Sequence, residues 1–300
     1  MDSATGRTRI GVDTGGTFTD VVALREGRLW STKISSTPPA FEQAVLGGVE
    51  SVNKGAAFDL FHSTTVATNA LLERKGAKTA LLTTAGFRDL LTIGRQNRPF
   101  LYDLFPQAVP PLVPRDHCFE VPERVSAEGK VLLPLDLASL DDLIGRLREM
   151  EVESVAVVFL FSFLFPDHER AAGDLLERAG FSVSLSHRIL PEFREVERAS
   201  TTVVNAFVRP VMEAYLGKVQ SGAGALGGKG LQIIKSNGGC LRPLQAGLEA
   251  VQTVLSGPAA GVLGAQTAVR AGGHGESFIT FDMGGTSSDV AMVREKAVIS

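Results

Sequence analysis

The sequence predicts an α/β fold in which one strand–turn–strand element is used twice, and three observations predict it. The segment IGVDTGGTFTDVV at Ile10 to Val22 returns as ITFDMGGTSSDVAMV at Ile279 to Val293, with D-x-G-G-T-x-x-D-V common to both. Self-similarity of this kind marks structurally equivalent elements. Between the copies, short β-rich runs alternate with stretches whose apolar residues recur at helical spacing, the pattern of strands interleaved with helices. Each copy is itself an apolar run, a Gly-Gly pair and a second run, the way a tight hairpin is written.

The elements follow in order. Leu29 to Ile34 reads as a third strand of the first meander, Ala40 to Val52 as a helix, and Phe58 to His62 as a strand entering a helix from Thr65 to Arg74, with Thr65 or Ser63 as cap. Thr79 to Thr83 is β-rich, and Gly86 precedes a short helix. From Arg95 to Pro134 the chain is dense in proline (Pro99, Pro106, Pro110, Pro111, Pro114, Pro122), which predicts an irregular surface excursion. Alternation resumes with a helix from Leu137 to Glu149, a strand from Val155 to Phe161, a helix from Asp167 to Ala179 and a strand from Phe181 to Leu185. A long helical region from Glu195 to Val219 is expected to be broken or kinked near Pro210, which lacks an N–H and crowds the preceding turn, and to lead into a Gly-rich loop at Gly222 to Gly230. Leu231 to Ser236 is then a strand, Pro258 to Ala271 a helix opened by a Ser256-Gly257-Pro258 turn, and Phe278 to Asp282 the strand feeding the second hairpin. The expected division is a first domain over 1–200 and the start of a second over 201–300. A full second copy of the first domain needs roughly another hundred residues, so the second domain is expected to be partial.

Composition narrows the classes of function. With 44% hydrophobic and 21% charged residues in 300, the chain has the makeup of a globular protein. A net charge of −3, with Lys and Arg scattered, offers no basic field for nucleic acid. The longest apolar run, Val155 to Phe165, is interrupted by Ser162 and too short to span a bilayer. No apolar stretch follows the basic residues of MDSATGRTR as a secretory signal requires. Cys118 and Cys240 are far apart and form no metal-binding spacing. These features together predict a cytoplasmic protein without a membrane segment.

The candidate chemistry sits at the two turns. A nucleoside triphosphate needs backbone N–H groups that approach its phosphates closely, and consecutive glycines at a strand turn provide them. Gly15 and Gly16 in one copy and Gly284 and Gly285 in the other meet that need, while Thr17 and Thr286 add a hydroxyl at each turn. Asp13 and Asp282, at the strand ends, are placed to hold Mg²⁺ through water, which suits an ion that takes few carboxylates and keeps several waters. A single such motif is often only a hairpin; the pair favours phosphate. Asp20 and Asp289 return to the same strand face and either touch the site or pin the hairpin.

With these hairpins the chain resembles the actin, hexokinase and Hsp70 superfamily, and the sequence between them is similar to hydantoinase A and 5-oxoprolinase. The similarity is carried by FHSTTVATNALLERKGAKTALLTTAGFRDLLTIGRQNRPFLYDL at Phe61 to Leu104, LPEFREVERASTTVVNAFVRPVMEAYL at Leu190 to Leu216, SNGG at Ser236 to Gly239 and SGPAAGV at Ser256 to Val262. Departures are small: His62-Ser63-Thr64-Thr65 stands where the family commonly has H-G-T-T, Phe161-Ser162 where it has HS, and the second hairpin reads T-S-S-D rather than T-S-T-D. Family members usually run to more than twice this length.

The resemblance implies an actin-like, ribonuclease H-like ATPase fold and ATP-dependent opening of a cyclic amide such as 5-oxoproline or a hydantoin, with ATP and Mg²⁺ as cofactors. It also implies a partner polypeptide, either the missing C-terminal half or a hydantoinase B-like subunit. His62 is a candidate donor to substrate or phosphate, or else an interior histidine. Thr64 and Thr65 are candidates for helix N-terminal contacts to an anion, and Arg95 for a substrate carboxylate, against an ordinary surface ion pair. Asn237, Gly238 and Gly239 are expected in a cleft loop. Glu195 and Arg198 read as motif residues or as a charged helix face. Two other readings stand beside the lactam-opening ATPase: an acetone carboxylase β-subunit-like activation of a ketone or bicarbonate, and a half-subunit or fragment inactive alone.

Overall fold

In the computed structural model, which describes residues 7–97, 102, 104–105, 110–275, 277–283, 288–294 and 297–299, the chain forms two compact units. One comprises Met1–Leu72 with Met212–Ser300, the other Glu73–Val211.

The first unit opens with the meander β1 (Thr8–Thr14), β2 (Phe18–Arg25) and β3 (Arg28–Ser35), followed by α1 (Phe41–Asn53), β4 (Phe58–Thr64) and α2 (Val66–Leu72). Side chains alternate across a strand, so Ile10, Val12, Val21 and Ala23 are buried on one face while Arg9 and Asp13 lie on the other. α1 packs across β1, β2 and β3, and its buried Ala44, Val45, Gly48 and Val49 fall at helical spacing. A Cβ on Gly48 would lie 2.5 Å from Val21 Cγ2, so glycine lets the helix approach the sheet this closely.

The second unit contains β5 (Thr79–Thr84), α3 (Leu90–Ile93), β6 (Cys118–Val121), the short pair β7 (Arg124–Val125) and β8 (Val131–Leu133), α4 (Leu137–Glu149), β9 (Ser154–Val158), α5 (Asp167–Arg178), β10 (Ser182–Leu185) and α6 (Ser186–Ile189). Its sheet, ordered β10-β9-β5-β6, is wholly parallel, and both faces are covered, as such sheets require. Leu82, Val155 and Val157 face Leu140, Leu147 and Leu176; Leu81, Ala156 and Val158 pack with Ala199, Val203 and Ala206. The expected Pro-rich excursion is therefore not all irregular, since Cys118–Val121 is a sheet strand whose Cys118, Phe119 and Val121 are buried. Arg198 is likewise not on a charged surface: it is fully buried and donates to Ser162 Oγ at 2.7 Å and to the Phe159 carbonyl at 2.9 Å. Nearby, buried Glu169 accepts from Ser186 Oγ (2.5 Å), His187 Nδ1 (2.7 Å) and the Phe159 N–H (3.0 Å).

α7 (Glu195–Ala225) belongs to both units, and it continues through Pro210. Pro210 does not break the helix, because one lost hydrogen bond is outweighed by burial of Ala206, Phe207, Val208 and Met212 around it. There follow β11 (Gly228–Ile234), β12 (Cys240–Leu241), α8 (Pro243–Leu248), α9 (Ser256–Ala271) and the strands β13 (Phe278–Met283), β14 (Ser288–Arg294) and β15 (Ala297–Ile299). The stretch Gly222 to Gly230 is helix end and strand rather than the expected loop. Its glycines serve close approach: a Cβ on Gly222 would meet Leu46 Cδ1 at 2.2 Å, and one on Gly230 would meet Asp59 Oδ1 at 3.0 Å.

β11 pairs parallel with β4, giving the six-stranded order β12-β11-β4-β1-β2-β3. Residues on both sides of position 200 thus share one sheet. β13, β14 and β15 form a separate antiparallel sheet. Among the described residues, no helix is long and apolar enough to cross a membrane.

Candidate functional site

The first turn is built as a tight hairpin. The Gly15 N–H donates to the Phe18 carbonyl at 2.9 Å, and a Cβ on Gly15 would come within 3.1 Å of that oxygen. Ser36 fastens the turn, its hydroxyl donating to the Gly15 carbonyl (2.7 Å) and its N–H to the Thr17 carbonyl (2.9 Å). Gly16 and Thr17 stay exposed at the tip. Behind it, Thr65 donates to the Thr14 carbonyl from both its N–H (3.0 Å) and its hydroxyl (3.1 Å), tying the head of α2 to the end of β1.

Asp13 stands on the exposed face of β1, where it accepts the Ser63 hydroxyl at 2.6 Å. Partial desolvation raises its pKa above the usual carboxylate value; Ser63 opposes that rise, the Asp20 and Asp282 charges add to it, and Lys33 lowers it. Asp282 is therefore close enough for its charge to be felt at Asp13, which links the two hairpins electrostatically. Both copies have the same register, Asp13↔Asp20 and Asp282↔Asp289. Asp20 is held by Lys33 Nζ at 2.7 Å across β2 and β3. The start of α9 also reaches this place, since a Cβ on Gly257 would lie 3.2 Å from Asp13 Oδ1. Ser256, fully buried, donates to the Thr64 carbonyl and accepts from the Thr64 N–H.

The expected cleft loop is the turn joining β11 to β12. Lys235 N–H donates to the Gly239 carbonyl (2.8 Å), Gly238 N–H to the Lys235 carbonyl (2.9 Å) and Gly239 N–H to Asn237 Oδ1 (3.1 Å), with Gly238 at φ 83°. Only glycine adopts that φ without strain. Ser236, Asn237 and Gly238 line a cavity of about 750 Å³ together with Asp282, Asp289 and apolar residues of α9, β13 and β14. Gly284, Gly285 and Thr286 lie outside the described residues.

The remaining candidates are engaged internally. His62 is fully buried on β4; its Nδ1 lies 3.1 Å from the Val12 carbonyl and its Nε2 2.7 Å from the Tyr215 hydroxyl. A carbonyl only accepts, so Nδ1 carries the proton and Nε2 accepts from Tyr215. Burial depresses the imidazole pKa from 6.5 to about 4, keeping the ring neutral. Thr64 is buried and accepts the Val66 N–H on Oγ1 at 3.2 Å, while the carbonyl of Thr65, directly ahead of α2, accepts the Asn69 N–H at 2.7 Å. In the second unit, Arg95 grips Glu197 with Nε (2.8 Å) and Nη2 (2.6 Å) on an exposed surface. Sequence reasoning missed Ser36, Ser63 as a ligand of Asp13, Lys33, Tyr215 and the Gly257 approach. The one available signal was the strand alternation that sets Lys33 opposite Asp20.

Residues 9–180 match the family described as hydantoinase/oxoprolinase N-terminal region, and residues 198–300 match hydantoinase/oxoprolinase. The chain belongs to the hydantoinase/oxoprolinase family. This hydantoinase/oxoprolinase chain is 34% identical to caprolactamase subunit alpha of Pseudomonas jessenii, over 95% of its own length and 43% of that protein. It is 31% identical to the 5-oxoprolinase of Saccharomyces cerevisiae, over 95% of its own length and 26% of the relative. Its backbone matches the crystal structure of the ATP-dependent caprolactamase from Pseudomonas jessenii with TM-score 0.81 and 33% identity, and nucleotide-free acetone carboxylase with TM-score 0.86 and 26% identity. These matches cover 95% and 96% of this chain but 43% and 44% of the solved ones, so it spans less than half the length of such relatives. The fold is α/β of the actin-like ATPase type, as the resemblance implied.

Proposed function

We propose that this chain supplies the nucleotide-activating part of an ATP-dependent amidohydrolase that opens a cyclic amide such as 5-oxoproline or a hydantoin. The observation that carries this reading is the repeated hairpin, which sets Asp13↔Asp20 and Asp282↔Asp289 in the same register and ends, in the first copy, in an exposed glycine turn. Two carboxylates repelling one another beside an exposed glycine turn are stabilised by a divalent cation, and one carboxylate per hairpin with retained waters suits Mg²⁺. Among the described residues, no group of three or more His, Cys, Asp and Glu is placed to hold a metal ion. When bound, Mg²⁺ supplies charge neutralisation at the ATP phosphates.

The chain's own residues would do the rest. Gly16 presents its N–H without a Cβ in the way and Thr17 adds a hydroxyl, while Gly15 turns its own N–H inward to close the hairpin; Gly284, Gly285 and Thr286 are their counterparts in the repeated sequence. Ser63 orients the Asp13 carboxylate, and Asn237 and Gly238 line the cleft beside Asp282, with Gly239 closing their turn. His62, with both nitrogens engaged, acts as a positioning residue that fixes β1 against β4 and α7 behind the turn. Thr64 and Thr65 hold the head of α2 in place. An amide carbonyl is a poor electrophile; transfer of the γ-phosphoryl group breaks its bond to ADP and forms one to the amide oxygen. Water then adds at the carbon and the ring C–N bond breaks, leaving the free amine and an acyl phosphate, and a second water releases phosphate and the carboxylate. Aligning the phosphoryl group with the acceptor and stabilising its charge is the protein's task in such transfer.

The match to acetone carboxylase supports a second reading, activation of a ketone or bicarbonate at the same hairpins. The name of the caprolactamase relative, a subunit alpha, supports a partner polypeptide for the complete enzyme, with this chain inactive on its own. The unpaired Cys118 and Cys240 support a reducing cytoplasm as its location. The deciding experiment measures ATP turnover with 5-oxoproline, hydantoins and acetone, with and without a candidate partner polypeptide. Stimulation by a cyclic amide in the presence of the partner is expected. Stimulation by acetone alone would select the carboxylase reading, and robust lactam-stimulated turnover by the chain alone would contradict the need for a partner.

A further inference from the structure

A second cavity lies within the first unit, away from the cleft beside Asp282. It holds about 460 Å³, and its lining includes Gln220 of α7, Lys229, Leu231 and Gln232 of β11, and Arg242 and Pro243 where β12 passes into α8. The two cavities have no lining residue in common. They sit at opposite ends of β11: its start borders this one, while Ser236, Asn237 and Gly238, just past its end, border the other. The rise of an extended strand sets these ends roughly 20 Å apart. The lining carries charge of one sign, Lys229 and Arg242 with no Asp or Glu. Neither cationic side chain has a partner among the described residues. Main-chain groups add to this. β12 pairs with β11 only at Ile233 and Ile234, so no strand lies beside the edge of β11 from Gly228 to Gln232 on that side. Lys235 donates its N–H across that edge to the Gly239 carbonyl. By strand alternation Leu231 directs its own N–H to the same edge, where it is an open donor.

We infer that this cavity is a binding site for a short-chain dicarboxylate. One carboxylate takes the planar fork of Arg242 and the other the ammonium of Lys229. Gln220, Gln232 and the Leu231 N–H supply neutral donors, and the carbon body between the charges lies against Leu231 and Pro243. The size of the cavity argues for such a body: a bare inorganic anion leaves most of the 460 Å³ empty, whereas that volume is in the range of small-molecule pockets. A single exposed ion pair contributes little. Recognition therefore rests on engaging both cations at once, and a monocarboxylate is held poorly. The site uses none of the residues of the nucleotide-activating reading and is independent of it.

Isothermal titration calorimetry of the full 300-residue chain at fixed ionic strength tests this, with succinate and glutarate as probes beside acetate and inorganic phosphate. Saturable binding of succinate or glutarate is expected, with acetate at least about ten-fold weaker. Arg242→Gln and Lys229→Gln are each expected to weaken dicarboxylate binding at least about ten-fold, and Asp13→Asn to leave it unchanged. Both replaced side chains are exposed and unpartnered, so the unliganded variants are expected to melt at the wild-type temperature. Absence of saturable binding by either dicarboxylate, acetate binding as tightly, or undiminished binding in either cation variant would overturn the proposal. Tighter binding of phosphate than of both dicarboxylates would overturn it too, by assigning the cavity to a compact anion.

Discussion

At the residue scale the behaviour of two side chains follows from their surroundings. Asp13 carries the heaviest electrostatic load at the first turn: the Ser63 hydroxyl and Lys33 favour its charge, while desolvation, Asp20 and Asp282 oppose it. His62 is the reverse case, a base kept neutral by burial. Its folded pKa, about 4, lies below the 6.5 of the unfolded chain. The unfolded state therefore binds the additional proton within that window, so stability is full above pH 6.5 and lost as pH falls toward 4. The contribution is on the order of 3 kcal/mol. Urea denaturation between pH 4 and 7 is expected to show His62→Gln losing that part of the acid sensitivity. An unchanged slope in the variant would mean that His62 is not the group that titrates. None of this was legible in the sequence, where His62 read equally well as a ligand or an interior residue. What separates the two readings is the placement of Val12 and Tyr215, and Tyr215 lies 153 positions away.

At the element scale, the glycines of α1 give opposite expectations. A Cβ on Gly48 would meet Val21 Cγ2 at 2.5 Å, whereas one on Gly47 meets nothing within 4 Å. Gly48→Ala is expected to destabilise by about 1–3 kcal/mol through overpacking, although alanine is the better helix former. Gly47→Ala is expected to stabilise by up to about 1 kcal/mol. Thermal or chemical denaturation of the pair checks this, and equal effects would contradict the close approach of α1 to the sheet. Elements with a strong local period were legible: α4 spans the expected Leu137–Glu149, and β1 and β2 flank the expected turn. Elements decided by distant packing were not. Pro210 stays inside α7 because its neighbours are buried, and Gly222 and Gly230 read as loop residues because their partners, Leu46 and Asp59, are remote in sequence.

At the scale of the whole molecule, a hairpin is used twice, with its first aspartates 269 positions apart in sequence and in the same register. The repeat made the pairing legible, because equivalent elements invite a shared site. The route was not: β11 joins β4 in a parallel pair that no local pattern announces, and the start of α9 reaches Asp13 through Gly257. The central claim is that Asp13 and Asp282 together hold one divalent cation with ATP. Its most direct measurement is electron paramagnetic resonance of Mn²⁺, in place of Mg²⁺, titrated with ATP into the wild type, Asp13→Asn, Asp282→Asn and the double variant. The account predicts that either single change weakens Mn²⁺–ATP binding about ten-fold or more and that the double variant is little worse than either one. Undiminished binding in both single variants, or losses that simply add, would contradict a shared site.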